Sequence, residues 1–315
     1  MRVVSLLPSA TEMLHAIGAG DLLVGRSHEC DFPAAVATVP VLTAPRAPAF
    51  EGAGASAAVD AAVRAALAAG DSLYTLDEAR LRALAPDLIL AQDLCAVCSI
   101  DRACVERAVA GLSPRPAVLH FNPTSHWQVL DDMLALGAAV GRESDALAAV
   151  TALRDRWWTA AERVTPYVTG PGVLMLEWTD PPFVGGHWTP ALIEAAGGRH
   201  PLNPPGAPSR VATPEEIVAS APERVLVAPC GLDLQRTRQA VRELAAQPWW
   251  RALPAVRSGA TDALMLVDGN QMFNRPGPRL VDAFEWLVAW LGDRPGDIPA
   301  GFPAETAAHA ALAAR

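Results

Sequence analysis

Four of the five cysteines fall just past the ends of predicted strands. Cys30 follows Leu22–Gly25, Cys95 and Cys98 follow Asp87–Ala91, and Cys230 follows Arg224–Ala228. In an open parallel α/β sheet, ligands bind in the crevice outside the carboxyl ends of the strands. Thiolates gathered there suit a tetrahedral zinc or an iron–sulfur cluster. Cys95-Ala-Val-Cys98 is a single C-x-x-C, which fits half a zinc knuckle, a redox dithiol or part of an iron–sulfur site. The expected helix start at Cys98 favours its thiolate through the helix dipole. The competing reading is packing, because free cysteine is among the most buried residue types. Cys104, inside the same predicted helix, is assigned to packing.

Other reactive groups cluster at the same kind of position. Ser27-His28-Glu29-Cys30-Asp31 puts an imidazole, a thiol and two carboxylates in one loop; its alternative is a polar surface loop over a buried cysteine. Glu177-Trp178 leads to Gly185-Gly186-His187-Trp188, where aromatic faces and close backbone approach suit a flat or bulky ligand. His187 there could ligate a metal, and a Trp-rich hydrophobic corner is the competing reading. Asp268-Gly269-Asn270 and Phe273-Asn274-Arg275-Pro276-Gly277-Pro278-Arg279 lead into the last helix. That helix start with Arg275 or Arg279 forms a candidate anion site, unless the arginines pair with nearby carboxylates. No Ser-His-Asp arrangement, phosphate loop or dinucleotide fingerprint occurs, which weighs against ordinary hydrolases, kinases and dehydrogenases.

These groups must be carried by an α/β frame. Arg2–Leu7 reads as a buried strand stopped by Pro8, and Ser9-Ala-Thr-Glu12 as a capping box opening a helix to Ile17. Further strands are expected at Leu22–Gly25, Val39–Leu42, Asp87–Ala91 and Ala117–His120. Helices are expected at Ala57–Ala69, Thr75–Leu84, Ser99–Ala110 and Ser125–Val140, with a loop at Pro45–Ser56. Ser144–Val164 repeats apolar residues at three- and four-residue steps and is taken as the bridge between two lobes. The alternation then restarts, with strands at Val173–Glu177, Arg224–Ala228 and Ala263–Val267. Its helices are Pro190–Ala196, Pro214–Ser220, Leu234–Ala246 and Pro278–Leu291. Trp157, Trp158, Trp249, Trp250, Trp286 and Trp290 are assigned to the core, and the tail after Gly292 to little structural work.

The 315 residues favour about two domains, and 51% hydrophobic content allows a sizeable core. A net charge of −9 argues against nucleic-acid binding. The sequence contains no lysine, which removes Schiff-base catalysis and a P-loop lysine. No apolar run is long enough to span a bilayer, so no membrane insertion is expected. With the first strand beginning at Arg2 and no leader pattern before it, the expectation is a cytoplasmic protein with reduced thiols. A leader removed beforehand would instead make it periplasmic or otherwise extracytoplasmic.

Val4-Ser-Leu-Leu-Pro-Ser-Ala-Thr-Glu12, Ser27–Asp31, Asp93-Leu-Cys-Ala-Val-Cys98, Glu177-Trp178 with Gly186-His-Trp188, Ala228-Pro-Cys-Gly231 and Phe273–Arg279 together resemble one family. It is that of the cobalamin-binding homologues of vitamin B12 and iron–siderophore substrate-binding proteins. The resemblance covers nearly the whole chain. It implies two Rossmann-like α/β lobes with parallel sheets, joined by a single long helix, with a ligand cleft between the lobes. The lobes would be residues 1–141 and 167–315, with the linking helix at 142–166. It implies a non-catalytic binding protein for cobalamin or a related metal-tetrapyrrole, with an ABC permease as partner. Candidate ligand contacts are Ser9, His28, Glu29, Trp178, His187, Trp188, Asn270, Phe273, Arg275 and Arg279, with His187 a candidate axial ligand. The rival reading is a metalloprotein or enzyme whose zinc or iron–sulfur site uses Cys30, Cys95, Cys98 and Cys230, with His28 or His187. A third is a reduced-thiol sensor or sulfur-handling protein using Cys95 and Cys98.

Overall fold

The computed structural model describes residues 1–46, 56–93, 100 and 102–307. The chain divides into two compact units, and the division falls at Leu153/Arg154, inside one long helix. Unit 2 also takes the first residues of the helix that opens at Ser56, and Thr124–His126.

Unit 1 opens with strand β1 (Val3–Ser5), helix α1 (Pro8–Ala16) and strand β2 (Leu23–Arg26). Strand β3 (Thr43–Pro45), helix α2 (Ser56–Ala68), strand β4 (Tyr74–Leu76) and helix α3 (Glu78–Leu84) follow. Then come β5 (Leu88–Ala91), α4 (Arg102–Ala110), β6 (Ala117–His120), α5 (His126–Val140) and α6 (Glu143–Ala161). The main sheet has the order β2-β1-β5-β6, and all its pairs are parallel. Its strands are apolar because helices cover both faces of such a sheet. Val4, Ile89 and Ala91 pack there with Leu42, Leu73, Val105 and Val109.

Three expectations for unit 1 are corrected. Pro8 is the first residue of α1 and Leu7 is its N-cap, with no side-chain cap bond, so Ser9 lies within the first turn and there is no Ser9/Glu12 capping box. Proline's missing N–H and fixed φ suit the first helical position, which moves the start one residue earlier. Thr75–Leu84 is not one helix. Tyr74–Leu76 pairs antiparallel with β3, and Asp77 then caps α3 by accepting from Arg80 N at 2.8 Å. The short strand expected at Val39–Leu42 lies later, at Thr43–Pro45; Val41 makes only an isolated bridge to Arg26. Most of the Pro45–Ser56 loop lies outside the described residues.

Unit 2 contains β7 (Val173–Thr179), β8 (Pro182–Val184), α7 (Thr189–Ala195), β9 (Arg210–Val211) and α8 (Pro214–Ala219). It continues with β10 (Arg224–Val227), α9 (Leu234–Ala245), α10 (Pro248–Ala252) and α11 (Pro254–Arg257). It closes with β11 (Leu264–Val267), α12 (Leu280–Leu291) and β12 (Ala304–Thr306). The sheet order is β12-β11-β10-β7-β8-β9. β7, β10 and β11 form the expected parallel centre, while β8, β9 and β12 are antiparallel additions at its flanks. Leu174, Leu176, Val225, Val227, Leu264 and Leu266 form the core with Val241, Leu244 and Trp250.

The tail is structural, against expectation. β12 covers the edge of β11, Phe302 stacks on Trp286 at 5.2 Å, and Arg238 binds Glu305 through two hydrogen bonds of 2.5 Å. Trp157, Trp250, Trp286 and Trp290 are buried as expected. Trp158 is 54% exposed, which corrects its core assignment, and Trp249 is only partly buried. The two neighbours Trp157 and Trp158 point to different sides of α6, so only one can enter the core.

Candidate functional site

The strand ends of unit 2 form a cross-tied rim. β7 ends in Glu177, Trp178 and Thr179, turns at Asp180-Pro181 and returns as β8 into Gly185–Trp188. Glu177 is half-buried; its carboxylate accepts from Gly186 N at 3.3 Å and from the Ser209 hydroxyl. Trp178 is half-buried, and its Nε1–H is shared between Ser56 O at 3.2 Å and Asp180 O at 3.1 Å. That fixes the indole edge while part of the ring stays exposed.

His187 sits in the left-handed region at φ +52. Its N–H donates to Ala207 O at 2.6 Å and its carbonyl accepts from Gly206 N at 2.8 Å. The imidazole is half-buried, 5.5 Å from the Trp188 ring, and burial pushes its pKa below the usual histidine value. Burial thereby favours the neutral imidazole, the form that coordinates metals. Trp188 is buried, and its Nε1–H donates to Phe273 O at 2.7 Å.

The remaining rim follows from β10 and β11. Cys230 is half-buried; its N–H donates to Glu177 O at 2.9 Å. Gly231 and Gly269 close on one another through Gly231 N to Gly269 O at 3.2 Å and Gly269 N to Leu232 O at 2.8 Å. A Cβ on Gly269 would stand 1.8 Å from Pro229 O, so no other residue fits. Asn274 Nδ2 bridges Ala228 O and Gly269 O, each at 2.8 Å. Asn270 is half-buried and accepts from Arg275 at 3.2 Å, while Arg279 donates to Gln271 Oε1 at 2.8 Å. Arg275 and Arg279 are buried, and Phe273 is fully buried against Trp286. These three are buried within the unit, whereas Asn270 and His187 are half-buried.

In unit 1 the loop after β2 is fastened to β3. His28 N–H donates to Thr43 Oγ1 at 3.0 Å, His28 Nδ1 lies 2.7 Å from the same oxygen, and Thr43 donates to Ser27 Oγ at 3.1 Å. With the single Thr43 proton given to Ser27, Nδ1 takes the donor role and Nε2 is the basic nitrogen. Ser27, His28, Glu29, Thr43, Tyr74 and Ile100 line a shallow depression, with the Tyr74 ring 5.4 Å from His28. Glu29 is half-buried, and its N–H donates to Ser27 Oγ at 3.3 Å. Ser9 is buried in α1.

Cys30 is fully buried against α1, where Thr11 Oγ1 donates to its sulfur at 3.0 Å. Cys104 packs on the unit 1 core. Cys95 and Cys98 lie outside the described residues. Among the described residues no three His, Cys, Asp or Glu side chains are grouped to hold a metal ion. A cavity of about 350 Å³ lies away from the rim, between α6 and α12. Its Arg156 is already held by Asp282 at 2.5 Å and Glu285 at 2.6 Å, and its Arg163 by Asp297 at 3.0 Å.

Sequence reasoning missed Asn203, Ser209 and Asn274 as parts of the rim. Asn274 was visible within its motif. Asn203 and Ser209 belong to a Pro- and Gly-rich stretch that reads only as a turn.

The family model described as "Periplasmic binding protein" matches residues 3–260. The apo periplasmic heme-binding protein RhuT from Roseiflexus sp. RS-1 is similar at 19% identity and TM-score 0.69, covering 93% of this chain and 98% of that one. The periplasmic vitamin B12 binding protein BtuF of Vibrio cholerae is similar at 19% identity and TM-score 0.66, covering 93% and 97%. A periplasmic heme binding protein from Pseudomonas aeruginosa is similar at 22% identity and TM-score 0.67, covering 93% and 92%. No curated protein sequence matches the chain. At such identities these structures establish a shared fold. The family description gives the expectation of a cytoplasmic protein no support. Among the described residues no helix is long and apolar enough to cross a membrane. A family match over most of the sequence, carried by the same two-unit α/β architecture, assigns this chain to the periplasmic binding protein family.

Proposed function

We propose that this protein binds a metal-tetrapyrrole, cobalamin in particular, outside the cytoplasm and delivers it to an ABC permease without transforming it. The observation that carries this reading is His187: a half-buried imidazole, its pKa lowered by burial, on a backbone held at φ +52 and 5.5 Å from the Trp188 ring, in the same unit as half-buried Trp178 and Asn270. A neutral imidazole suits an open axial position on iron or cobalt, and an aromatic ring suits the face of a macrocycle. Relatives of the same fold include proteins described as binding heme and vitamin B12, which favours this ligand class.

Titration of the full chain with hemin, aquocobalamin and aquocobinamide, followed by calorimetry and visible absorption, tests the reading. We expect saturable binding of at least one, with a band shift that is lost in His187→Ala. Absence of both heat and spectral change for all three would discard it. Binding of hemin alone would keep the tetrapyrrole class and remove cobalamin.

A further inference from the structure

We propose that Asn203 and Ser209 are positioning residues that set the direction in which His187 presents its imidazole, acting from a loop that does not itself carry the histidine. The inference rests on the proposed role of His187. Its evidence is the convergence of several ties on the three-residue segment Gly185–His187.

A non-glycine residue at positive φ is strained and persists only where its surroundings over-determine it. Here they do. Asn203 is 4% exposed, and its Nδ2 donates to Gly185 O at 3.2 Å and Pro208 O at 2.9 Å. Two carbonyl acceptors require the amide nitrogen at that position, so the orientation of the side chain is fixed by chemistry. The Asn203 carbonyl in turn lies 3.3 Å from Nδ1 of buried His200. On the other side, Ser209 gives its hydroxyl proton to Glu177, whose second oxygen accepts from Gly186 N. Gly186 admits no side chain, since a Cβ would lie 2.2 Å from Ser209 N. Residues 185, 186 and 187 are each tied to the stretch from 203 to 209, and His187 is the member whose side chain no tie uses. The arrangement spends buried polar groups on holding a short turn.

The test follows the imidazole directly, in the full chain labelled with [13C]histidine. The His187 Cε1–H cross-peak is assigned by its loss in His187→Gln. Wild type and Ser209→Thr, which keeps the hydroxyl, are expected to give one narrow cross-peak. Ser209→Ala and Asn203→Asp are expected to shift it or split it, while the folded fraction measured by circular dichroism stays at the wild-type value. Hemin affinity in those two variants is expected to fall about tenfold, roughly 1.4 kcal/mol. An unchanged cross-peak in folded Ser209→Ala overturns the proposal, and Ser209→Ala decides alone if Asn203→Asp fails to fold. If wild type binds no hemin, the proposed function falls while the cross-peak still decides the positioning role.

Discussion

Trp188 Nε1–H donates to the main-chain carbonyl of Phe273 at 2.7 Å, across 85 residues of sequence. This bond fastens the turn after β8 to the turn after β11. Both partners are buried, so water cannot substitute for a lost donor.

Trp188→Phe keeps a ring in place and removes only that donor and some volume. The expected loss is about 1–2 kcal/mol of unfolding free energy. Urea denaturation checks it through a lower midpoint at unchanged slope. A midpoint equal to wild type would mean that the bond contributes nothing net.

Two titratable groups, buried His126 and half-buried Asp132, make stability depend on pH in opposite directions. Burial against Trp157, 4.4 Å away, lowers the His126 pKa from 6.5 to about 4. Between those values the unfolded chain binds a proton that the folded chain refuses, so stability falls on acidification through that window. Burial, with Asp131 adding repulsion, raises the Asp132 pKa from 3.8 to about 7. Between those values the folded chain keeps a proton that the unfolded chain releases, so stability falls as pH rises, and the penalty is complete above about 7. Asp132→Asn should therefore stabilise at pH 8 and not at pH 4. The gain is on the order of 1 kcal/mol, reduced because the group is partly solvated. His126→Phe should flatten the loss between pH 6 and pH 4. Thermal midpoints at about five pH values check both signs.

Phe302 stacks on Trp286 with an interplanar angle of 10°, and Trp286 stacks in turn on Trp290 at 5.0 Å. Phe302→Ala is expected to destabilise by about 1–3 kcal/mol. Differential scanning calorimetry reads this directly. A decorative tail would leave the transition where it was.

The parallel centre of each unit was legible because β1, β5, β7, β10 and β11 are short apolar runs bounded by helix signals. The antiparallel additions were not. β8, β9 and β12 have two or three residues each, too few for a period to show. Where proline takes the first helical position, the residue before it is the N-cap. That residue is Leu7 in α1, which cannot cap, and Thr213 in α8, which can. The true capping box is thus Thr213 with Glu216, through bonds of 3.2 and 2.8 Å. At the candidate site, residue type pointed to His187 and Trp188. It could not show that Phe273, Arg275 and Arg279 are buried, because loop residues acquire burial only from tertiary packing.

Gly269, pressed against Pro229 O, leaves two backbone turns touching with nothing between them. Any redesign of the loops around it inherits that contact as a fixed point. Diversity can be introduced at positions 178, 187 and 270, whose side chains are half open to water. A library that also randomises position 269 would mostly collect chains that never assemble the mouth being redesigned.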